Sequence, residues 1–392
     1  MTSDKAGLVL SGSIGKGHDS VAEACSAALA SAGYKAPVLD CMKLLGGAGD
    51  RAGSAVFRRM LSIPPLYDAF HFSQLRAGGA LAVRMEEMAA MRLVPRFRRE
   101  IAQSGARLLV SVFATGAGAL GRLGGEVPGG TSIVVCTDAT AHRMWVHEGI
   151  DRYLVCSEMA AGTVRQYLPR ADVAVIPPPV RPQFFDAPNK DEARNELGID
   201  PEVPCALMMA GGWGMFPLEG AATALARRGY RVLAVAGANR RSRHKLDLAA
   251  ETAAGRAAGN AVETGRAGGR GLGAARSGEG AGITVFGFTD RVPELMAAAD
   301  AVVTSPGQTC HEARVVGRPL VVLDVVPGHG RENLLLELER GGALACTPRP
   351  ASVAHAVDAV LDGTAPPPVP WPISSAGEWE SAFLESLVDV VH

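Results

Sequence analysis

The sequence predicts an α/β fold of two doubly wound domains. Three observations carry this expectation. The chain has 392 residues, more than one core normally organises. Short apolar runs alternate with longer Ala/Leu/Arg segments, the pattern of β–α units around a parallel sheet. A proline-rich break near residue 180 is followed by a restart of the same alternation. Apolar residues make up 47% of the chain and charged residues 20%, so burial can outweigh chain entropy over most of its length.

The strand candidates of the first half are GLVLSG (7–12), APVLDC (36–41), RLLVSVF (107–113), TSIVVCTD (131–138), RYLVCS (152–157) and VAVIPPP (173–179). PPPVRPQFFDAPNK follows, where three successive prolines and Pro182 disfavour helix and strand alike, so 179–200 reads as a hinge. The second set is CALMMAGG (205–212), YRVLAVAG (230–237), GITVFGF (282–288), DAVVTSPG (300–307) and RPLVVLDVV (318–326). The expected organisation is a first domain over 1–178, a second over 201–372, and a C-terminal helix over 373–392 packing back on the first. Within the second domain, 251–282 is largely Gly, Ala and Arg with little to bury, and reads as a flexible surface insertion.

Formal net charge is −1 and the isoelectric point about 6.8, so no global field favours nucleic acid. The seven cysteines are scattered without a C-x-x-C pair, which fits a reducing cytoplasm. The N-terminal apolar stretch is too short for a secretion signal, and no run of eighteen apolar residues occurs. A cytoplasmic protein, peripheral on the inner membrane face at most, is expected. Local charge does accumulate over 51–107, where ten arginines stand against Asp68, Glu86, Glu87 and Glu100. Apolar and aromatic residues interleave with them, as in RRMLSIPPLYDAFHFSQL. Such a face can lie on an anionic membrane, bind a soluble anionic acceptor, or simply cover its own core.

In doubly wound sheets ligands bind beyond the carboxyl ends of the strands. LVLSGSIGKGHDSVAEA, 8–24, places Gly12, Gly15 and Gly17 at such an end, with His18 opening a helix. Gly12 and Gly17 have phosphate-loop spacing, but His18 and Asp19 replace the Lys and Ser/Thr that would hold phosphate and magnesium, so nucleotide hydrolysis is not expected. The order G-x-x-G-x-G also differs from the dinucleotide fingerprint. The helix dipole should keep His18 neutral and able to accept a proton; the bland alternative is a residue that caps the turn.

A second constellation, 134–158, carries Asp138 at a strand end followed by His142, Trp145 and His147. No further ligand stands at a recognisable metal spacing, so acid/base or substrate contacts are the stronger expectation, and Trp145 serves equally as a core aromatic. The second half has three turns of the same kind: Gly211, Gly212 and Gly214 after one strand, SPGQTCHEA at 305–313, and VVPGHGRENLL at 325–335. The helix after Gly307 offers free N–H groups to an anion, and Glu312 can accept hydrogen bonds from a ribose diol. Together these turns describe a pocket for a nucleotide with diphosphate and sugar.

The ordered motifs GSIGKGH, TDATAHRMWVHEGIDRYLVCSE, GGWGM, GFTDRVPELMAAAD, SPGQTCHEA and PGHGREN resemble those of the inverting GT-B glycosyltransferases that include monogalactosyl- and diglucosyl-diacylglycerol synthases, and more distantly MurG. The resemblance implies two Rossmann-like domains facing a cleft, an acceptor on the first and a UDP-sugar on the second. By motif position it places the nucleotide side on Gly212, Trp213, Phe288 and Thr289, with the base near Phe288. The diphosphate falls by Gly307, Gln308 and Thr309, the ribose on Glu312, and the sugar near His329 and Asn333. It puts Gly15, Gly17, His142 and Trp145 on the acceptor side. Where family members commonly have Gln in the turn before Asn333, this chain reads Gly328-His329-Gly330-Arg331-Glu332.

The implied activity is a UDP-sugar-dependent, metal-independent hexosyltransferase acting on a lipid or small natural product, with no cofactor beyond the donor substrate. His18 is the first choice for its base and Asp138 the second, unless Asp138 orients a histidine. A non-hydrolysing UDP-sugar epimerase and a non-catalytic UDP-sugar-binding protein are the rival classes.

Overall fold

The computed structural model describes residues 5–12, 16–46, 64–211, 217–264 and 280–391. The chain forms two compact units. One comprises Met1–Pro182, Val326–Asn333 and Pro372–His392; the other comprises Gln183–Val325 and Leu334–Trp371. The chain therefore leaves the first unit at Pro182 and returns to it twice, once for the eight residues after Val325 and once for the C-terminal segment.

In the first unit the order is β1 (Lys5–Ser11), α1 (Gly17–Ser31), β2 (Tyr34–Lys35), β3 (Val38–Asp40), α2 (Cys41–Leu45) and α3 (Pro64–Phe70). A π-helical turn, His71–Arg76, leads into the long α4 (Ala80–Ser104). Then come β4 (Leu108–Ser111), α5 (Ala114–Leu123), β5 (Thr131–Cys136), a 3₁₀ turn at Arg143–Trp145, β6 (Arg152–Val155), α6 (Glu158–Tyr167) and β7 (Val173–Val175). All pairings are parallel, in the order β2–β1–β4–β5–β6–β7, with β3 also paired to β1.

Side chains alternate across this sheet with the period of two that a strand imposes. Val9 packs with Val21, Leu29 and Val110 on one face, where Trp379 and Phe383 complete the core. Leu8 and Leu10 turn to the other face and meet Leu93 and Phe97 of α4.

The second unit runs α7 (Lys190–Leu197), β8 (Cys205–Met209), α8 (Glu219–Arg227), β9 (Arg231–Val235), α9 (Arg240–Thr264), β10 (Gly282–Phe286), α10 (Val292–Ala298), β11 (Ala301–Thr304), α11 (Gln308–Val315) and β12 (Leu320–Leu323). After it, α12 (His329–Glu339) starts in the segment belonging to the first unit, and β13 (Ala343–Cys346) and α13 (Pro350–Leu361) follow. Its sheet is also parallel, ordered β10–β9–β8–β11–β12–β13. Met208, Val232, Val303 and Val321 pack beneath Leu225 of α8 and Val353 and Val357 of α13. Finally α14 (Ala376–Glu385), capped by Ser375 and carrying Trp379 and Phe383, belongs to the first unit.

Every strand candidate of the sequence contains a strand. β2 and β13 were not expected. ALAC, the sequence of β13, has no β-branched residue, and it forms a strand because Leu320–Leu323 offers it a ladder. The expected insertion at 251–282 is narrower than composition indicated: 251–264 continues α9 and Gly282 opens β10, while 265–279 lies outside the described residues. Alanine is the reason, since an Ala-rich segment with little to bury still has high helix propensity.

Candidate active site

Strand order locates the site before any side chain is considered. In the first sheet β1 has β2 and β3 on one edge and β4 on the other, so the winding reverses between β1 and β4. In the second sheet the reversal falls between β8 and β11. Ligand crevices open at such points. The glycine turn with His18 follows β1, and Gly307 follows β11.

Gly12 is required because a Cβ there would stand 2.4 Å from the Phe113 ring. Phe113 in turn packs edge-on against His18, with ring centroids 5.2 Å apart. His18 Nδ1 lies 2.9 Å from the carbonyl oxygen of Val112. A carbonyl only accepts, so Nδ1 carries the proton and Nε2 of the neutral ring keeps its lone pair. Burial lowers the His18 pKa, against an upward pull from the Asp138 carboxylate. The neutrality expected from the helix dipole is thus present, but its main cause is desolvation.

Asp138 follows β5 and accepts a hydrogen bond from the Trp145 indole at 2.9 Å; His142 Nε2 stands 4.0 Å from the same carboxylate oxygen. Burial pushes the Asp138 carboxyl up, but His329, His142, His18 and the Trp145 N–H outweigh it and hold the pKa below its ordinary value. A carboxylate held in this form is a weak base and favours a cation beside it. Burial depresses the His142 pKa to about 4. Trp145 is 1% exposed, so the expectation that it contacts an acceptor is corrected: its ring fills the core beside Val134 and Tyr153, and its N–H fixes Asp138.

The segment 326–333 is fastened to the same unit by its own contacts. Gly328 N–H donates to Asp68 at 2.7 Å, and Arg331 pairs with that carboxylate at 3.0 Å. The Tyr67 hydroxyl is 2.9 Å from His329 Nδ1. His71 Nε2 and the Arg76 guanidinium converge on Glu332 at 3.0 and 3.2 Å. Ala139 N–H donates to Asn333 Oδ1 at 2.8 Å. Gly328 has φ +62°, and a Cβ there would meet Tyr67 at 2.6 Å and His71 at 2.8 Å, so only glycine permits the close approach. Burial pushes the Glu332 carboxyl up, while the His71 hydrogen bond and Arg76 hold it below the ordinary range. His329 and Asn333, expected from sequence on the donor side of the second domain, are thus placed in the first unit, beside Tyr67 and Ala139.

In the second unit Gly307 takes φ +154° and precedes α11, which Gln308 and Thr309 open. Glu312 lies one turn further and is 4% exposed. Phe288, after β10, is 62% exposed, and the Thr289 hydroxyl oxygen beside it accepts from Arg291 N–H. Gly17 opens α1 and is exposed. Gly15, Gly212 and Trp213 lie outside the described residues.

Tyr67, His71 and Arg76 were missed as site residues. Their sequence reads as part of an amphipathic basic stretch, and their partners are some 260 positions away: Tyr67 and His329 are separated by 262 residues. The i, i+4 spacing of an aromatic and a histidine on one helical face was the available signal. Among the described residues, no group of three or more His, Cys, Asp or Glu is arranged to hold a metal ion.

The basic stretch itself divides. Arg76, Arg96 and Arg98 are engaged by Glu332, the Leu44 carbonyl and Glu126, whereas residues 51–63 lie outside the described residues. On α4, Leu81, Met85, Met88 and Met91 are all exposed at helical spacing, with exposed Arg84 and Arg92 among them. No helix among the described residues is long and apolar enough to cross a membrane.

Residues 18–180, nearly all of the first unit's leading segment and including His18, Tyr67, His71, Asp138 and Trp145, match the family model of monogalactosyldiacylglycerol (MGDG) synthase. The chain resembles the diacylglycerol glycosyltransferases. A probable monogalactosyldiacylglycerol synthase 2, chloroplastic, of Oryza sativa subsp. indica is 29% identical over 234 residues, 56% of this chain and 44% of that protein. A processive diacylglycerol beta-glucosyltransferase of Bacillus licheniformis is 27% identical over 228 residues, 57% of this chain and 52% of that protein. The chain spans about half the length of the curated relatives it matches. Os79 from O. sativa, solved in complex with U2F and trichothecene, aligns at a TM-score of 0.59 with 14% identity over 91% of each chain; its complex with UDP aligns at 0.57. At that identity the likeness shows the fold, two Rossmann-like α/β domains of the GT-B class.

Proposed function

We propose that this chain is an inverting hexosyltransferase that moves a sugar from a UDP-sugar to a hydroxyl of a diacylglycerol-type lipid. The observation that carries the reading is the tautomer of His18. Nδ1–H donates to the Val112 carbonyl, which leaves the Nε2 lone pair as a base at the β1/β4 switch point, with the Asp138 carboxylate nearby to favour the imidazolium. The acceptor hydroxyl gives its proton to Nε2 as its oxygen attacks C1. The bond from C1 to the diphosphate oxygen breaks from the opposite side, and its electron pair leaves with UDP. Gln308 and Thr309 N–H groups at the start of α11 are suited to that leaving charge, and Glu312 to the ribose hydroxyls. In this reading the step uses donor and acceptor with no further cofactor.

The lipid acceptor follows from the named substrates of the relatives and from the exposed Leu81/Met85/Met88/Met91 face of α4, whose arginines complement anionic headgroups. The test is incubation of the protein with UDP-glucose or UDP-galactose and vesicles containing diacylglycerol, followed by mass spectrometry. A glycosylated lipid with stoichiometric UDP supports the reading. A donor left intact, or merely interconverted between epimers, overturns it. Co-sedimentation with anionic vesicles that is lost in Met85→Ser/Met88→Ser supports the membrane face, and retention in that variant removes it.

A further inference from the structure

We propose that His71 is a specificity-determining residue for the transferred sugar, its Nδ1 receiving one hydroxyl of the donor hexose while Glu332 holds the ring in place. The inference rests on the UDP-sugar reading above. His71 is 1% exposed, yet its Nδ1 has no hydrogen-bond partner among the described residues. A buried imidazole nitrogen without a partner costs stability unless something supplies the bond. Its other nitrogen is committed: Nε2–H donates to the Glu332 carboxylate at 3.0 Å, and Arg76 holds that carboxylate from the other side at 3.2 Å. The carboxylate can only accept, so in the neutral ring the proton stays on Nε2 and Nδ1 presents a lone pair.

Polar aromatic rings stand around this nitrogen. The His142 ring stands edge-on, 6.3 Å from His71, and its own Nδ1 is likewise buried without a partner among the described residues, its Nε2 facing Asp138. His329 is 6.1 Å away, fixed by the Tyr67 hydroxyl, and Tyr67 stacks on His71 at 6.1 Å and 26°. Two orphaned ring nitrogens within one cluster of aromatic walls fit the hydroxyls of a hexose ring, which present donors around an apolar face. The Glu332–Arg76 contact separates this from a merely structural histidine, because it consumes Nε2 and leaves Nδ1 to the ligand.

An isosteric pair of variants tests the two nitrogens apart, since an Asn amide reaches about where Nδ1 lies and a Gln amide about where Nε2 lies. Donor selectivity is measured as kcat/KM for UDP-glucose, UDP-galactose and the single deoxy analogues of each, in the wild type, His71→Asn and His71→Gln. The expected result is that one hydroxyl matters by about tenfold in the wild type, the weight of a single hydrogen bond. That preference should survive in His71→Asn and flatten in His71→Gln. Retention in His71→Gln with loss in His71→Asn shows that Nε2 alone matters, and overturns the inference while leaving the transfer reading intact. A change confined to the KM of the acceptor overturns it as well. Wild-type protein that leaves both UDP-hexoses intact with diacylglycerol vesicles overturns the inference together with the reading on which it rests.

Discussion

The imidazole of His18 is tied to the carbonyl of Val112, ninety-four residues later, at 2.9 Å. That bond joins the helix after β1 to the end of β4 and decides which ring nitrogen is free. Deprotonated Nε2 is the working form of a base, so kcat/KM should rise with pH through a midpoint below the ordinary histidine value, because burial lowers the His18 pKa. Asp138 pulls that pKa upward, so Asp138→Asn should move the midpoint lower still. A pH–rate profile of both proteins checks this; a midpoint that moves upward in the variant contradicts it.

Trp145→Phe keeps the core aromatic and removes the indole N–H that holds Asp138. The loss of a bond to a charged partner predicts destabilisation of about 1.5–3 kcal/mol, read by denaturant unfolding. The folded Asp138 carboxyl titrates below its usual value, so its stabilisation is present above the unfolded pKa and fades as pH falls through the folded one. The gap between wild type and variant should therefore close on acidification. A gap that persists once the carboxyl is protonated would assign the cost to packing alone.

Much of the fold was legible because its strands are runs of Val, Ile and Leu flanked by glycine turns, and doubly wound sheets place function at those turns. His18 and Asp138 were candidates because they follow strand ends, and the structure places them after β1 and β5. Tyr67 and His71 were not, since a helix turn gives no hint of a partner more than 250 positions away; they acquire their role from Gly328, which lets the chain approach. The burial of Trp145 was equally hidden, because an aromatic near Asp138 reads the same in the sequence whether it faces ligand or core.

Gly328→Ala should cost more than its backbone conformation alone. At φ +62° a non-glycine residue carries about 1–3 kcal/mol of strain. The new methyl would also meet Tyr67 at 2.6 Å and His71 at 2.8 Å. Gly125→Ala is the control, with φ +74° and nothing within 4 Å of its Cβ. Unfolding of both variants should rank Gly328→Ala as the more destabilised; equal effects would mean that the 326–333 segment is not held against Tyr67 and His71.

Glu312→Ala should weaken UDP binding by about 1.5–3 kcal/mol through loss of charge-assisted hydrogen bonds to the ribose. Calorimetric titration with UDP measures it directly. An unchanged affinity removes Glu312 from the nucleotide site.

The account turns on His18 as the base of a sugar transfer, and the most direct measurement pairs turnover with donor affinity in His18→Ala. Sugar transfer from UDP-hexose to diacylglycerol vesicles should fall by roughly a hundredfold or more, the range of a general base, while the calorimetric affinity for UDP stays within twofold or so of the wild type. Transfer that persists at the wild-type rate, or a collapse of UDP affinity in place of turnover, would contradict the role of His18.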